Sequence, residues 1–246
     1  MRRLGIIGGV SWHSTLAYYA SLNSGVEKAT KGRNCVSLVL SSMNLGEILR
    51  GQKKKSHEAL LDLFVQEGRR LKSAGCDAFL IASHTYSMLG SAIEKELDFQ
   101  HISLFSAVER HLIQSNVNRM GLIGSLHTMT DDSFAELYEC SGLTVVRPEE
   151  PHLNRVAGIV FRELIRGLFR TESRHRVRDC LNHLGSRGVD AIVLGCTELG
   201  LLIPEREWVV PCGAGERKIS LIDLIEVHVE QAIRWMFEPN QDSHTE

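Results

Sequence analysis

Two hydrophobic rhythms alternate along this chain. Short unbroken apolar runs that end in small residues recur at Leu4-Gly5-Ile6-Ile7-Gly8-Gly9, Val36 to Leu40, Ala78 to Ile81, Arg119 to Ile123, Thr144-Val145-Val146 and Ala191 to Gly195. Runs of this length bounded by glycine read as strands buried on both faces. Between them the apolar positions follow a helical period. Ser14 to about Val26 opens on good capping residues, and Glu58 to Lys72 places Leu60, Leu61, Leu63, Phe64 and Leu71 among charges. Further helices are predicted from about Asp131 to Ser141, Leu153 to Arg166, Glu172 to Arg187 and Leu221 to Phe237. The polar tail from Pro239 to Glu246 reads as disordered. Strands alternating with helices predict an α/β fold with mainly parallel sheets.

The pattern repeats. Leu71-Lys72-Ser73-Ala74-Gly75-Cys76-Asp77-Ala78 matches Leu184-Gly185-Ser186-Arg187-Gly188-Val189-Asp190-Ala191 in its leucine, serine, glycine and Asp-Ala positions, and the Leu4 and Met120 runs form a second matching pair. The chain is therefore expected to fold as two pseudo-symmetric α/β lobes with the active site in the interlobe cleft. Residues 1–98 with 212–246 are assigned to the first lobe, and 99–211 to the second. A chain of 246 residues suits two such lobes.

Composition narrows the partners. A net charge of −2 is too small to steer the chain to nucleic acid or an anionic membrane, and leaves a small molecule as the expected ligand. The apolar run before Gly8-Gly9 is too short for a signal-peptide core or a membrane span, so a cytoplasmic location is expected. Six cysteines, without close CxxC pairs or disulfide-scaffold density, argue for reduced thiols and no metal. No phosphate-cradling glycine motif occurs, so no cofactor is expected.

The chemistry is concentrated at Cys196. Four apolar residues lead straight into Gly195-Cys196-Thr197-Glu198, which puts a thiol just past the carboxyl end of a strand, where open α/β sheets meet ligands. A lone buried cysteine is as a rule an inert hydrophobe. The internal repeat changes that reading, because it sets Cys196-Thr197-Glu198 and Ala82-Ser83-His84-Thr85 at matching strand ends; Cys196 also stands at a strand-to-helix turn, the kind of position that lowers a thiol pKa.

The set Gly8-Gly9, Trp12, Ser14, Thr15, Tyr18, Tyr19 and Asn23, then Phe161-Arg162-Glu163-Leu164, Gly167, Phe169, Glu172-Ser173-Arg174, Gly195-Cys196-Thr197-Glu198, Pro204-Glu205, Asp223 and His228 resembles the aspartate/glutamate racemase family, over roughly residues 4 to 237. It looks closest to the broad-specificity amino-acid racemase branch. The resemblance implies a cofactor-independent enzyme, each lobe donating a cysteine, that moves the α-proton of an acidic amino acid. Two groups of matched acidity must then flank the substrate. Cys196 fills one place; Ala82 stands at the other, where relatives carry a cysteine, and the segment Ala82-Ser83-His84-Thr85-Tyr86-Ser87 replaces Cys-Thr-Asn-Thr-Met-His. Ser103, Ser106, Asn44 and His13 also depart from the family pattern, and Lys53, with Arg50 nearby, aligns best with an arginine that binds the distal carboxylate.

His84 is accordingly a candidate second acid/base, since an imidazole titrates near neutrality; a structural histidine is the other reading. The expected substrate-binding positions are Gly9, Ser11, Lys53, Ser83, Thr85, Ser125, Thr128, Thr197 and Glu198, with backbone N–H groups at Gly8-Gly9, Ser125 and Thr197 holding carboxylates. Three functional classes follow: a racemase with an unusual second base, a single-cysteine decarboxylase or lyase on a related carboxylic acid, and a catalytically silent amino-acid-binding homologue. The expected partners are an amino acid or dicarboxylate and a second copy of the chain in a homodimer.

Overall fold

A computed structural model describes residues 1–53, 57–212 and 215–239. Its elements in chain order are β1 (Leu4–Gly8), α1 (Trp12–Ala29), β2 (Leu38–Ser42), α2 (Leu45–Lys53), α3 (His57–Ser73), β3 (Ala78–Ile81), α4 (His84–Ser87), α5 (Gly90–Leu97) and α6 (Leu104–Gln114). There follow β4 (Arg119–Gly124), α7 (Leu126–Thr130), α8 (Asp132–Glu139), β5 (Thr144–Val146), α9 (His152–Arg162) and a 3₁₀ turn at Leu164–Arg166. The chain closes with α10 (Thr171–Ser186), β6 (Ala191–Gly195), α11 (Leu199–Leu202), β7 (Glu207–Cys212), β8 (Gly215–Asp223) and α12 (Leu224–Phe237).

The chain divides into two units. The first comprises residues 1–82, 89–103 and 228–246, the second 83–88 and 104–227. In the first, β1 lies between β2 and β3, all parallel. In the second, β4 lies between β5 and β6 in the same parallel sense, and β8 and the antiparallel β7 extend the sheet in the order β5-β4-β6-β8-β7. The mixed α/β architecture with mainly parallel strands is the one that the alternating pattern predicts.

The internal repeat has a physical cause. Asp77 Oδ2 accepts the N–H of Arg3 at 2.6 Å, where β1 begins, and Asp190 Oδ2 accepts those of Asn118 and Arg119 at 3.1 and 2.9 Å, where β4 begins. Gly75 and Gly188 take φ of +76° and +78° in the turns just before. Each copy thus ends a helix on a left-handed glycine and then ties a strand to its neighbour through one carboxylate.

Parallel register sets the site's geometry. Gly124 pairs with Gly195 and Leu194 with Asp223, so Ser125, Cys196 and Asp223 emerge along one carboxyl edge of the second unit. Glycine is required here: a Cβ on Gly195 would stand 2.8 Å from the Ile123 carbonyl. In the first unit, Gly9 turns the chain at φ +83°, and a Cβ there would fall on the Met43 backbone. Gly9→Ala is therefore expected to cost about 2–4 kcal/mol, through left-handed strain and backbone overlap together, read as a lower urea midpoint.

Several predicted boundaries are corrected. The helix expected from Leu221 starts at Leu224, because Gly215–Asp223 pairs as β8 with β6 and β7. Residues 212–227, assigned to the first lobe from sequence, accordingly join the second unit, as does 83–88, while 99–103 joins the first. The strand expected at Val36 starts at Leu38, and the helix expected to reach Arg166 ends at Arg162 and gives way to the 3₁₀ turn. Lys54-Lys55, Gly213-Ala214 and the tail beyond Pro239 lie outside the described residues. Among the described residues no helix is long and apolar enough to cross a membrane.

Candidate active site

Cys196 follows the last residue of β6, as its sequence context predicts, and is half-buried. Its Sγ–H donates to Glu198 Oε2 at 3.1 Å, and the Thr197 hydroxyl donates to the same oxygen at 2.9 Å. Glu198 is 2% exposed and its Oε1 has no hydrogen-bond partner among the described residues. A buried carboxylate oxygen left without a donor is costly, and such groups mark places where a proton or ligand is expected.

Burial raises the Cys196 pKa well above the ordinary thiol value, and the Glu198 charge and hydrogen bond raise it further. The backbone N–H groups of Glu198 and Leu199 act in the opposite direction and are outweighed. At neutral pH the thiol is therefore protonated and aimed at a carboxylate. This corrects the expectation that the strand-to-helix turn leaves Cys196 with a lowered pKa.

His84 lies at the start of α4, within the second unit, and is buried in an aromatic cage. Its ring stacks on Phe134 at 5.3 Å and 25°, lies 5.1 Å from Phe105, and its Nε2 meets the Tyr138 hydroxyl at 3.4 Å. Its Nδ1 is buried with no hydrogen-bond partner among the described residues. Desolvation pulls its pKa down to about 3. An imidazole so weakly basic and only 3% exposed is poorly suited to exchange protons with a substrate near pH 7. The geometry supports the structural reading, an aromatic anchor that joins α4 to α6 and α8.

The expected binding positions separate into groups. Thr197 and Glu198 sit with the thiol. Ser125 caps α7, accepting the Thr128 N–H at 3.1 Å, and its hydroxyl meets that of Thr128 at 2.9 Å. Thr128 has no exposed surface, so it supports the β4 turn and is out of a ligand's reach. The Gly9 N–H, expected to hold a carboxylate, instead donates to Thr15 Oγ1 at 2.9 Å. Thr15 in turn donates to the Ser11 carbonyl at 2.9 Å, while the Ser11 side chain caps α1. Gly9 and Ser11 are thus occupied in forming one turn. The Ser83 carbonyl accepts both the amide and hydroxyl of Ser87, and Thr85 is half-buried. The side chain of Lys53 lies outside the described residues.

Asp223, absent from the expected site, shares the carboxyl edge with Cys196. It accepts the Ile225 N–H at 2.8 Å to cap α12 and lies 3.4 Å from Arg206. Burial raises its pKa despite that arginine. Its signal in the sequence is the carboxylate that breaks the apolar run at Leu221-Ile222-Asp223-Leu224.

The mainly parallel sheet of the second unit thus presents a thiol, a hydroxyl and a buried carboxylate along one carboxyl edge. The Asp/Glu/Hydantoin racemase family matches residues 7–232, and the chain belongs to it. A candidate Asp/Glu racemase from Yersinia pestis superimposes with a TM-score of 0.84 at 26% identity, covering 97% of this chain and 100% of that one. An aspartate racemase homologue from Pyrococcus horikoshii OT3 gives 0.79 at 25% identity, over 97% and 100% of the two chains. Unliganded arylmalonate decarboxylase shares the fold at 0.55 and 12% identity, over 98% and 94%.

Proposed function

We propose that the chain transfers a proton at the carbon α to a carboxylate of an acidic amino acid or related dicarboxylic acid, with Cys196 as the acid/base. The observation that carries this reading is the Sγ–H to Glu198 hydrogen bond beside an unpartnered, buried carboxylate oxygen. In the resting state the sulfur holds a proton ready to give. To act as a base, the thiol first passes that proton to Glu198; the thiolate then takes the α-proton, the electron pair staying on the substrate as an enolate. Returning the proton reverses each step. A donor that neutralises the substrate carboxylate would lower the cost of the enolate.

A second reading, proton delivery on one face only, as in a single-cysteine decarboxylase or lyase, is favoured by the other expected base position. Ala82 offers a methyl group, and its carbonyl accepts the Ser14 hydroxyl at 3.3 Å. His84, two residues on, is buried and neutral. The protonated resting state of Cys196 suits an enzyme that mainly donates.

Incubation with each enantiomer of aspartate and glutamate, and with substituted malonates, in deuterated water separates these readings. Racemisation places deuterium in both enantiomers. One-sided chemistry exchanges one enantiomer at least about tenfold faster than the other, or releases carbon dioxide with deuterium in the product. Absence of exchange, carbon dioxide release and elimination across these substrates, with binding retained by calorimetry, would leave the silent homologue and refute the enzymatic reading.

A further inference from the structure

Strand β5 ends one side of the second unit's sheet, with β4 beside it and, among the described residues, no strand beyond it. The Thr144 N–H donates to the Asn118 carbonyl at 2.8 Å, so the alternation of a parallel ladder turns the amide and carbonyl of Val145 away from β4. They open into a groove. It has a volume of about 790 Å³, room for a short peptide segment, and Met129, Ala135 and Val146 give it an apolar floor. Its two walls belong to opposite faces of the sheet. Phe134 and Tyr138 of α8 pack with Met120 and Leu122, whereas Val156 of α9 and Leu184 of α10 pack with Ile123 and Ile192.

Charge is divided between those walls. Asp132, Glu136 and Glu139 line the α8 side, all exposed and all on one helical face. Asp132 pairs with Arg147 at 2.8 Å, while Glu136 and Glu139 form no ion pair among the described residues. On the other side Arg187 holds Glu149 at 3.2 Å and donates to the Arg147 carbonyl at 2.6 Å, beside the apolar Leu153. One wall is acidic; the other is neutral and partly apolar.

We propose that this groove takes an extended basic peptide as an added strand on β5, with lysine or arginine on the α8 side and apolar residues on the Leu153 side. The peptide backbone pairs with the amide and carbonyl of Val145, and its alternate side chains meet the two walls in turn. The Val145 side chain packs against the α8-side core, so the peptide residue opposite it points toward Glu136 and Glu139. A short edge strand by itself is a common defence against pairing. The divided charge of the groove is what points to a ligand. A second copy fits poorly, because antiparallel pairing of β5 with its own image sets the two α8 stripes acid against acid. The site is independent of the chemistry at Cys196.

The test uses the full chain with three end-blocked peptides: Lys-Val-Lys-Val-Lys-Val-Lys, its counterpart with glutamate for lysine, and Lys-Lys-Lys-Lys-Val-Val-Val. The last matches the first in composition and lacks the alternation. By fluorescence anisotropy the alternating lysine peptide is expected to bind at least about tenfold tighter than the other two. It is also expected to slow hydrogen exchange at the Val145 N–H by at least about tenfold. Glu136→Lys combined with Glu139→Lys is expected to reverse the preference toward the glutamate peptide. Val145→Pro removes the outward N–H at an edge position, where proline is tolerated, and is expected to weaken binding by at least about fivefold. No binding up to about 1 mM, equal binding of the block peptide, or an unprotected Val145 N–H would each overturn the proposal. So would protection of Val145 that rises with protein concentration in the absence of peptide, the mark of edge pairing between copies. Should Val145→Pro fail to fold by circular dichroism, the exposed glutamate pair decides: a double variant that keeps the wild-type preference refutes the acidic wall.

Discussion

Between pH 7 and pH 5 the folded protein is expected to lose about 6 kcal/mol of stability, read as a steep fall in urea midpoint, because three buried histidines are held neutral. Desolvation pulls His84 down to about 3, His101 down to about 3 with a further contribution from the His228 charge, and His228 down to about 4. His228 shows why the neutral form is built in: its Nε2 must donate to the Ile102 carbonyl at 2.8 Å, which leaves Nδ1 to accept from the Tyr18 hydroxyl at 2.8 Å. An imidazole in the unfolded chain titrates near 6.5. Below that pH the unfolded state binds protons that the folded state refuses, so stability is full above about 6.5 and drains as the pH falls toward the folded values. At pH 5 each group sits about 1.5 units below its unfolded pKa, worth about 2 kcal/mol apiece. That sum is comparable to the whole stability of a typical domain. His84→Phe, an aromatic that cannot take a proton, is expected to flatten the profile by one such share; an unchanged slope would mean that His84 is protonated in the fold.

The same histidine marks the boundary of what the sequence discloses. The strand ends were legible because glycine and an apolar run are local signals, and the repeat around Asp77 and Asp190 was legible because both copies solve one local problem, tying a strand start to a carboxylate. Cys196 and its neighbours followed from that framework. The cage of His84 is built from Phe105, Phe134 and Tyr138, residues brought together only by packing, and no local pattern announces them. The β7–β8 hairpin was missed for a related reason. Ile219, Leu221 and Ile222 stand directly before the helical pattern of Leu224 to Phe237 with Asp223 as the one break between them, so the apolar residues at the junction satisfy both periods. The capping contacts of Asp223 with the N–H groups of Ile225 and Glu226 mark where strand gives way to helix. The occupied N–H of Gly9 was hidden likewise, since Thr15 competes for it from one turn into α1.

Loss of the thiol should have the largest effect on activity. Cys196→Ala is expected to reduce α-hydrogen exchange or product formation by about 10²–10⁴-fold, the usual contribution of a positioned acid or base. Cys196→Ser is expected to do little better, because an alcohol is too weak an acid to exchange a proton with Glu198. Glu198→Gln separates proton relay from simple placement. Removing the carboxylate takes away one of the groups that raise the thiol pKa, so the rising limb of the pH–rate profile should move to lower pH while the maximal rate falls. A glutamine variant with an unmoved limb would reduce Glu198 to a packing residue. Ala82→Cys then probes the position at which relatives carry a second cysteine. If one missing group limits the enzyme to one enantiomer, restoring a thiol there is expected to raise racemisation by at least about tenfold, or about 1.4 kcal/mol of barrier. A rise in racemisation at the expense of any decarboxylation or one-sided exchange identifies the native reaction as single-faced. Near-native activity in both Cys196 variants would move the acid/base away from β6 altogether.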